Sequence, residues 1–318
     1  MTALWFTFDL ILISGILYLA WASLSARDGF KMIVLFMVLG LLVALAWVRL
    51  RAPDIALAEA AIGAGLTGAL FLNTLRHVQP RSSPGDGVAM ARPSRRLVSR
   101  LMVAPLIVLV TAALGAALMV IPRPAPSLFA EVDERMPQSG VENPVTAVLL
   151  NFRGYDTLLE VVVLLVAVVC VWLVTRSVEP RQALTLGPVF LGFSRLALPA
   201  MVVIAAYLLW LGAFAPGGAF QGAAMLAAVG ILLLLGRLAP PAADRWWSRL
   251  TVAGGTAVFA GAAMAAAALG RDFLEYPPTH AKTWIIVIEA ALTVSIAATL
   301  VALFHGAAPA PAREARRP

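Results

Sequence analysis

Nine apolar runs, each close to the ~20 residues a helix needs to cross ~30 Å of hydrocarbon, narrow this chain to one class of fold. They fall at about 3–24, 30–48, 54–75, 99–121, 156–176, 195–213, 217–236, 251–270 and 284–304. Short stretches between them hold most of the charge. Only 13% of the 318 residues are charged and 61% are hydrophobic, whereas a soluble protein carries roughly 25% charged residues. The pattern predicts an all-α polytopic membrane bundle, in which each helix satisfies its own backbone polar groups. Pro53, Pro122, Pro124, Pro180, Pro216 and the Pro240–Pro241 pair stand at or near run ends, where a missing N–H is harmless.

The formal net charge of +7 comes from arginines in the connections rather than from one basic face. A nucleic-acid partner is therefore not expected, and the lipid bilayer is the solvent instead. Cys170 is the single cysteine and lies inside an apolar run, so neither an intramolecular disulfide nor a metal cluster is suggested. No cofactor is expected. Ala20-Trp21-Ala22 has a small-x-small form, but a basic leader is missing and Asp9 interrupts the run; an uncleaved first span is expected.

Orientation follows from the arginines. The 76–100 connection carries Arg76, Arg81, Arg92, Arg95, Arg96 and Arg100 against one acid, Asp86, and is expected on the cytoplasmic side. The same side then receives Arg27 and Lys31; Arg176 and Arg181; Arg237, Arg245 and Arg249; and the tail Arg313, Arg316 and Arg317. The opposite side receives the 122–155 segment, with Glu131, Asp133, Glu134 and Glu142. Arg49 and Arg51 are the exception, partly balanced by Asp54. About nine spans result, with the N-terminus outside and the C-terminus cytoplasmic.

This topology places a polar residue in the outer half of every odd-numbered span: Asp9, Glu59, Glu160, Gln221 and Glu289. Each stands about five to nine residues from its outer start, or roughly 8–13 Å deep at ~1.5 Å rise per residue. Intramembrane carboxylates cost about 2.5–3.5 kcal/mol each at mid-helix and mark ion or proton paths. Glu59, Glu160 and Glu289 are the strongest candidates, and Asp9 is nearest a terminus. The alternative is that such a carboxylate only bonds a neighbouring helix or pairs with Arg153 or Arg271. The Ala- and Gly-rich runs Ala58–Gly68 and Ala260–Gly270 are expected to let helix backbones approach closely.

Three stretches resemble one family, in its usual order. Ala46–Gly65, ALAWVRLRAPDIALAEAAIG, resembles the D-type (MbhD-like) domain of membrane-bound hydrogenases, also found near the C-terminus of the large A subunit of Mrp Na+/H+ antiporters. Pro53, Asp54, Ala56, Leu57, Glu59 and Gly63 carry the match. Asn143–Val161, NPVTAVLLNFRGYDTLLEV, is similar to the E-type (MbhE-like) domain, through Val145, Thr146, Phe152, Arg153, Gly154, Asp156, Thr157 and Glu160. Asn151 replaces a common Asp and so removes one charge from the outer mouth. Gly212–Gly222, GAFAPGGAFQG, resembles the MrpB/MnhB subunit, with Ala213 in place of the family's histidine and Ala219 in place of a third glycine. The closing helix Trp284–Leu303, with Glu289, is similar to the last helix of that subunit.

The resemblance implies an MbhD-like three-helix domain over 1–80, a flexible basic cytoplasmic loop over 81–98 and an MbhE-like two-helix domain over 99–182. A four-helix MrpB/MnhB-like domain over 183–306 and a basic tail over 307–318 complete the chain. It implies an accessory subunit of a multisubunit Na+/H+ antiporter in the bacterial inner membrane, partnered by A-, C- and D-like subunits. In this picture Glu59, Glu160 and Glu289 relay H+ or Na+, with Asp54 and Asp156 at the outer mouth. The pumping subunits of that family carry mid-membrane lysines, which this chain lacks. Alternatives are a subunit of a related complex I-like assembly (a hydrogenase or an inorganic-carbon uptake system) and a purely structural scaffold. No H-E-x-x-H, G-x-G-D or G-x-S-x-G occurs, and His77, His280 and His305 fall near span ends, so an enzyme is not expected.

Overall fold

The first two apolar runs form an antiparallel pair, α1 (Thr2–Ser25) and α2 (Gly29–Arg49). Asp28 ends the connection by accepting a hydrogen bond from the Phe30 amide, 3.1 Å, at the start of α2, the usual work of an N-cap. The structure is a computed structural model that describes residues 2–78, 93–122, 127–174, 187–236, 238 and 246–306. Among the described residues there is no strand. Arg81, Arg92, Arg176, Arg181, Arg237, Arg245 and the tail arginines lie outside them, as do Pro124, Pro180 and Pro240–Pro241.

Pro53 stands at the first turn of the third span, where its fixed φ favours helix entry. The span is not one regular helix. It runs as α3 (Pro53–Ala58), a π-helical segment Glu59–Leu66 and α4 (Thr67–Val78). The π segment packs against α2: a Cβ added to Gly40 would stand 3.0 Å from the Ala64 Cβ and 3.2 Å from its Cα. Bare backbone on α2 thus allows the contact expected of the small-residue run.

The remaining elements are α5 (Pro93–Val120), α6 (Phe129–Ser139) and α7 (Pro144–Ala147) with a π turn Val148–Phe152, then α8 (Gly154–Val174) and α9 (Pro188–Leu211). The chain closes with α10 (Ala219–Leu235), α11 (Trp246–Ala268) and α12 (Ala281–His305). Eight helical stretches are long and apolar enough to cross a membrane, and α10 is a shorter apolar helix. The acidic 122–155 segment holds α6 and α7 and is partly helical, a feature its composition does not announce.

Two bodies divide the chain. The smaller, residues 79–134, contains α5. This helix begins at Pro93, so Arg95 and Arg96 are helical where a flexible loop through residue 98 was expected. A proline at the first position followed by good helix formers accounts for the earlier start. The larger body is built around α12, against which α8, α10 and α11 pack. Ile285, Ile288, Leu292 and Ile296 of α12 are fully buried. Close approach here also uses small residues. A Cβ on Gly255 of α11 would stand 2.6 Å from the Ser295 Cβ of α12, and the Ser295 hydroxyl donates to the Val252 carbonyl, 2.6 Å. In the Ala260–Gly270 run only Ala263 and Ala266 are fully buried, and the Gly255 contact lies outside it.

Candidate ion path

The 17 residues of α10 give it roughly 25 Å, short of the ~30 Å of a hydrocarbon core. The segment before it, residues 212–218, is a tight non-helical turn. Irregular backbone at membrane depth persists only where protein satisfies its polar groups. Here it does. The Gly218 amide donates to the Leu208 carbonyl, 2.9 Å, and the Ala213 carbonyl accepts from the Glu142 and Asn143 amides, 2.8 and 3.2 Å. Thr146 Oγ1 donates to the Gly212 carbonyl, 2.6 Å, and Asn143 Nδ2 donates to the Ala215 carbonyl, 3.0 Å.

Two carboxylates complete the turn. Asp54 Oδ1 accepts the Gly217 amide, 3.2 Å, and the Asn143 side-chain amide, 3.3 Å. Glu289, from α12, accepts the Ala219 amide at the N-terminus of α10. Asp54 is 8% and Glu289 3% exposed, so both are removed from bulk solvent. Gln221 Nε2 donates to the Asp54 backbone carbonyl, 3.3 Å. A Cβ added to Gly218 would find Glu289 Oε1 at 3.2 Å and Gln221 Oε1 at 3.6 Å. Asp54, Gln221 and Glu289 therefore converge on one glycine turn. The N-terminal end of a helix carries partial positive charge, which favours a carboxylate there.

The turn explains the glycines of its motif. Gly218 has φ 120° and ψ −168°, a region essentially limited to glycine. A Cβ on Gly212 would stand 2.5 Å from the Gly218 Cα, and one on Gly217 would stand 2.6 Å from the Leu208 carbonyl. Ala213, in the family's histidine position, is 3% exposed and contributes its backbone carbonyl.

Comparison with known proteins identifies the modules that meet at this turn. Residues 14–80 match the MbhD family, the D-type component of MBH, and residues 94–189 match the MbhE family, its E-type component. Residues 189–309 match a domain related to the MnhB subunit of Na+/H+ antiporter. The chain belongs to the Mrp-type family, with these three domains in one polypeptide. An uncharacterised protein of Methanocaldococcus jannaschii is 45% identical over 58 residues, 18% of this chain and 73% of that protein. A chain in the structure of the Mrp complex from Dietzia sp. DQ12-45-1b has the same fold, with a TM-score of 0.72 and 23% identity. The match covers 97% of this chain and 35% of that one.

In this Mrp-related protein each module contributes to the turn: Asp54 lies in the D-type stretch, Asn143 in the E-type stretch, and the glycines, Gln221 and Glu289 in the MnhB-related part. The other sequence candidates stand apart. The half-buried Glu59 lies in the π segment with its carboxyl folded over Gly63, whose bare Cα leaves the room. Glu160 is on the exposed side of α8, and Asp156 pairs with Arg153.

Two contacts bear on the charge balance expected of Arg49 and Arg51. Asp54, expected to balance them in part, is buried in the turn and accepts the Gly217 amide. Arg49 instead holds Asp9 of α1 through two hydrogen bonds, Nε to Oδ1 at 2.7 Å and Nη2 to Oδ2 at 2.9 Å, and lies over the Trp5 ring. Asp9 thus belongs to a half-exposed clamp between α1 and α2 rather than to the converging set. Exposed pairs contribute about 0–1 kcal/mol. Asp9→Asn should accordingly change stability by less than about 1 kcal/mol and leave transport unchanged, which a thermal melt of the purified protein and a flux assay will check. Arg153 and Arg271 pair with Asp156 and Glu275, so neither neutralises Glu160 or Glu289.

Sequence reasoning missed Asn143 and read Asn151 only as a lost charge. Asn143 accepts the Val145 amide, 3.0 Å, as the cap of α7 while its amide group serves Asp54 and Ala215. The Asn-Pro pair at a helix start was the available signal. Asn151 Nδ2 donates to the Ser139 carbonyl, 2.9 Å. An ionised aspartate lacks that donor, so the substitution noted in the motif supplies a bond as well as removing a charge.

Proposed function

We propose that this chain is an accessory subunit of a multisubunit monovalent cation/proton antiporter, and that it lines a cation or proton path and joins neighbouring subunits. The observation that carries the reading is the convergence of Asp54, Gln221 and Glu289, from two modules, on the glycine turn that opens α10. Buried carboxylates held by backbone amides keep acceptor oxygens available, and such oxygens suit both Na+ and H+ as cargo. Glu59 lies on the neighbouring π segment, and π-helical turns occur often at functional sites. Glu59, Glu160 and Glu289 are the relay groups in this reading, and Asp156 is the acid of the outer rim.

The partners are A-, C- and D-like subunits of the same assembly, and the location is the bacterial cytoplasmic membrane. The arginine distribution supports an external N-terminus and a cytoplasmic C-terminus. Purification from native membranes tests the assignment. Antiporter subunits should co-purify, and vesicles containing the complex should acidify or alkalinise when Na+ is added. Hydrogenase or quinone-module proteins in place of antiporter subunits would overturn it.

A further inference from the structure

The open side of α8 displays Tyr155, Leu159, Val163, Val166 and Leu173, all strongly exposed. Glu160 lies on the same exposed side, within the apolar length of the helix. Among the described residues it has no ion pair, and three nearby basic groups are engaged elsewhere. Arg153 holds Asp156, Arg271 holds Glu275, and the Lys282 ammonium lies 4.8 Å from the Phe214 ring centroid. A carboxylate in a membrane span normally faces a bundle interior, water or a polar partner rather than lipid.

We propose that the Glu160 face of α8 is the docking surface for a second membrane-spanning polypeptide, one of whose helices brings a hydrogen-bond-donating side chain to the Glu160 carboxylate. This rests on the antiporter-subunit reading and adds the place at which the path leaves this chain. Asp54, Gln221 and Glu289 are enclosed by the chain's own helices, whereas Glu160 is completed by the neighbour. The apolar residues around it form the contact area, and the carboxylate sets its register, because a polar group in lipid is stable only where a donor meets it.

The test uses the intact complex extracted from native membranes. Because Cys170 is the single cysteine, Cys170→Ser gives a thiol-free chain, and Val163→Cys places one thiol a turn from Glu160. A benzophenone maleimide on that thiol should cross-link to one membrane-spanning polypeptide, and Glu160→Leu in the same chain should reduce that adduct about tenfold, the effect of losing ~1.4 kcal/mol of association. Glu160→Gln, which keeps an acceptor oxygen, should retain most of it. Leucine is favourable in lipid, so Glu160→Leu does not hinder insertion. The docking surface is overturned if the probe reacts only with lipid or with α5 of the same chain, or if Glu160→Leu leaves the adduct at wild-type yield. Wild-type co-purification of antiporter subunits in that last case would leave the functional reading standing, whereas their absence from the wild-type complex would sink both.

Discussion

Gly218→Ala should disable the protein more than any other single-methyl change in the turn. Its backbone, at φ 120° and ψ −168°, lies where an L side chain costs on the order of 1–3 kcal/mol. The added Cβ also meets Glu289 Oε1 at 3.2 Å, so the carboxylate must give way or the turn must. Relaxation of the turn toward an ordinary φ would move the neighbouring Gly217 and Ala219 amides, which serve Asp54 and Glu289. Each hydrogen bond lost from a buried group costs about 1–3 kcal/mol more. The expected result is a lower yield of assembled complex and a transport rate near background. Ala213→Gly, five residues earlier and without such a strained backbone, is the control that should preserve both.

The nine apolar stretches were legible in the sequence because a span announces itself by length and hydropathy. What hydropathy does not reveal is where a span starts being helical. The seventh run was read as 217–236, yet α10 begins only at Ala219, and the difference is the glycine turn at the centre of the site. The π segment at Glu59–Leu66 was equally hidden, since one inserted residue per turn leaves the apolar composition unchanged. The partners of Asp9 and Asp54 were hidden for a related reason. Depth along a helix is set by counting, but the direction a side chain takes is set by its partners: Arg49 across the α1–α2 pair for one, the Gly217 amide for the other. The convergence of Gln221 and Glu289 was visible only as a shared depth. Bringing them to one glycine required the packing of α10 on α12.

Glu289→Gln carries the second large effect, and it separates chemistry from architecture. Glutamine keeps a carbonyl oxygen to accept the Ala219 amide and is nearly isosteric with glutamate, so the turn, α10 and assembly should survive. What it removes is the negative charge and the exchangeable proton beside Gln221 and Gly218. The residue is 3% exposed at the heart of α12, so water does not readily substitute for it. A purely structural Glu289 would lose little in this exchange, because the oxygen that caps α10 remains. A relay group would lose its function, and raising one step by about 1.4 kcal/mol already slows it about tenfold.

The decisive measurement is Na+-driven proton movement in vesicles reconstituted with the purified complex, comparing wild type with Glu289→Gln at equal amounts of assembled complex. The proposed path predicts that the variant transports at least about tenfold more slowly, the signature of a raised barrier rather than of lost protein. A variant complex that assembles and transports at the wild-type rate would contradict it.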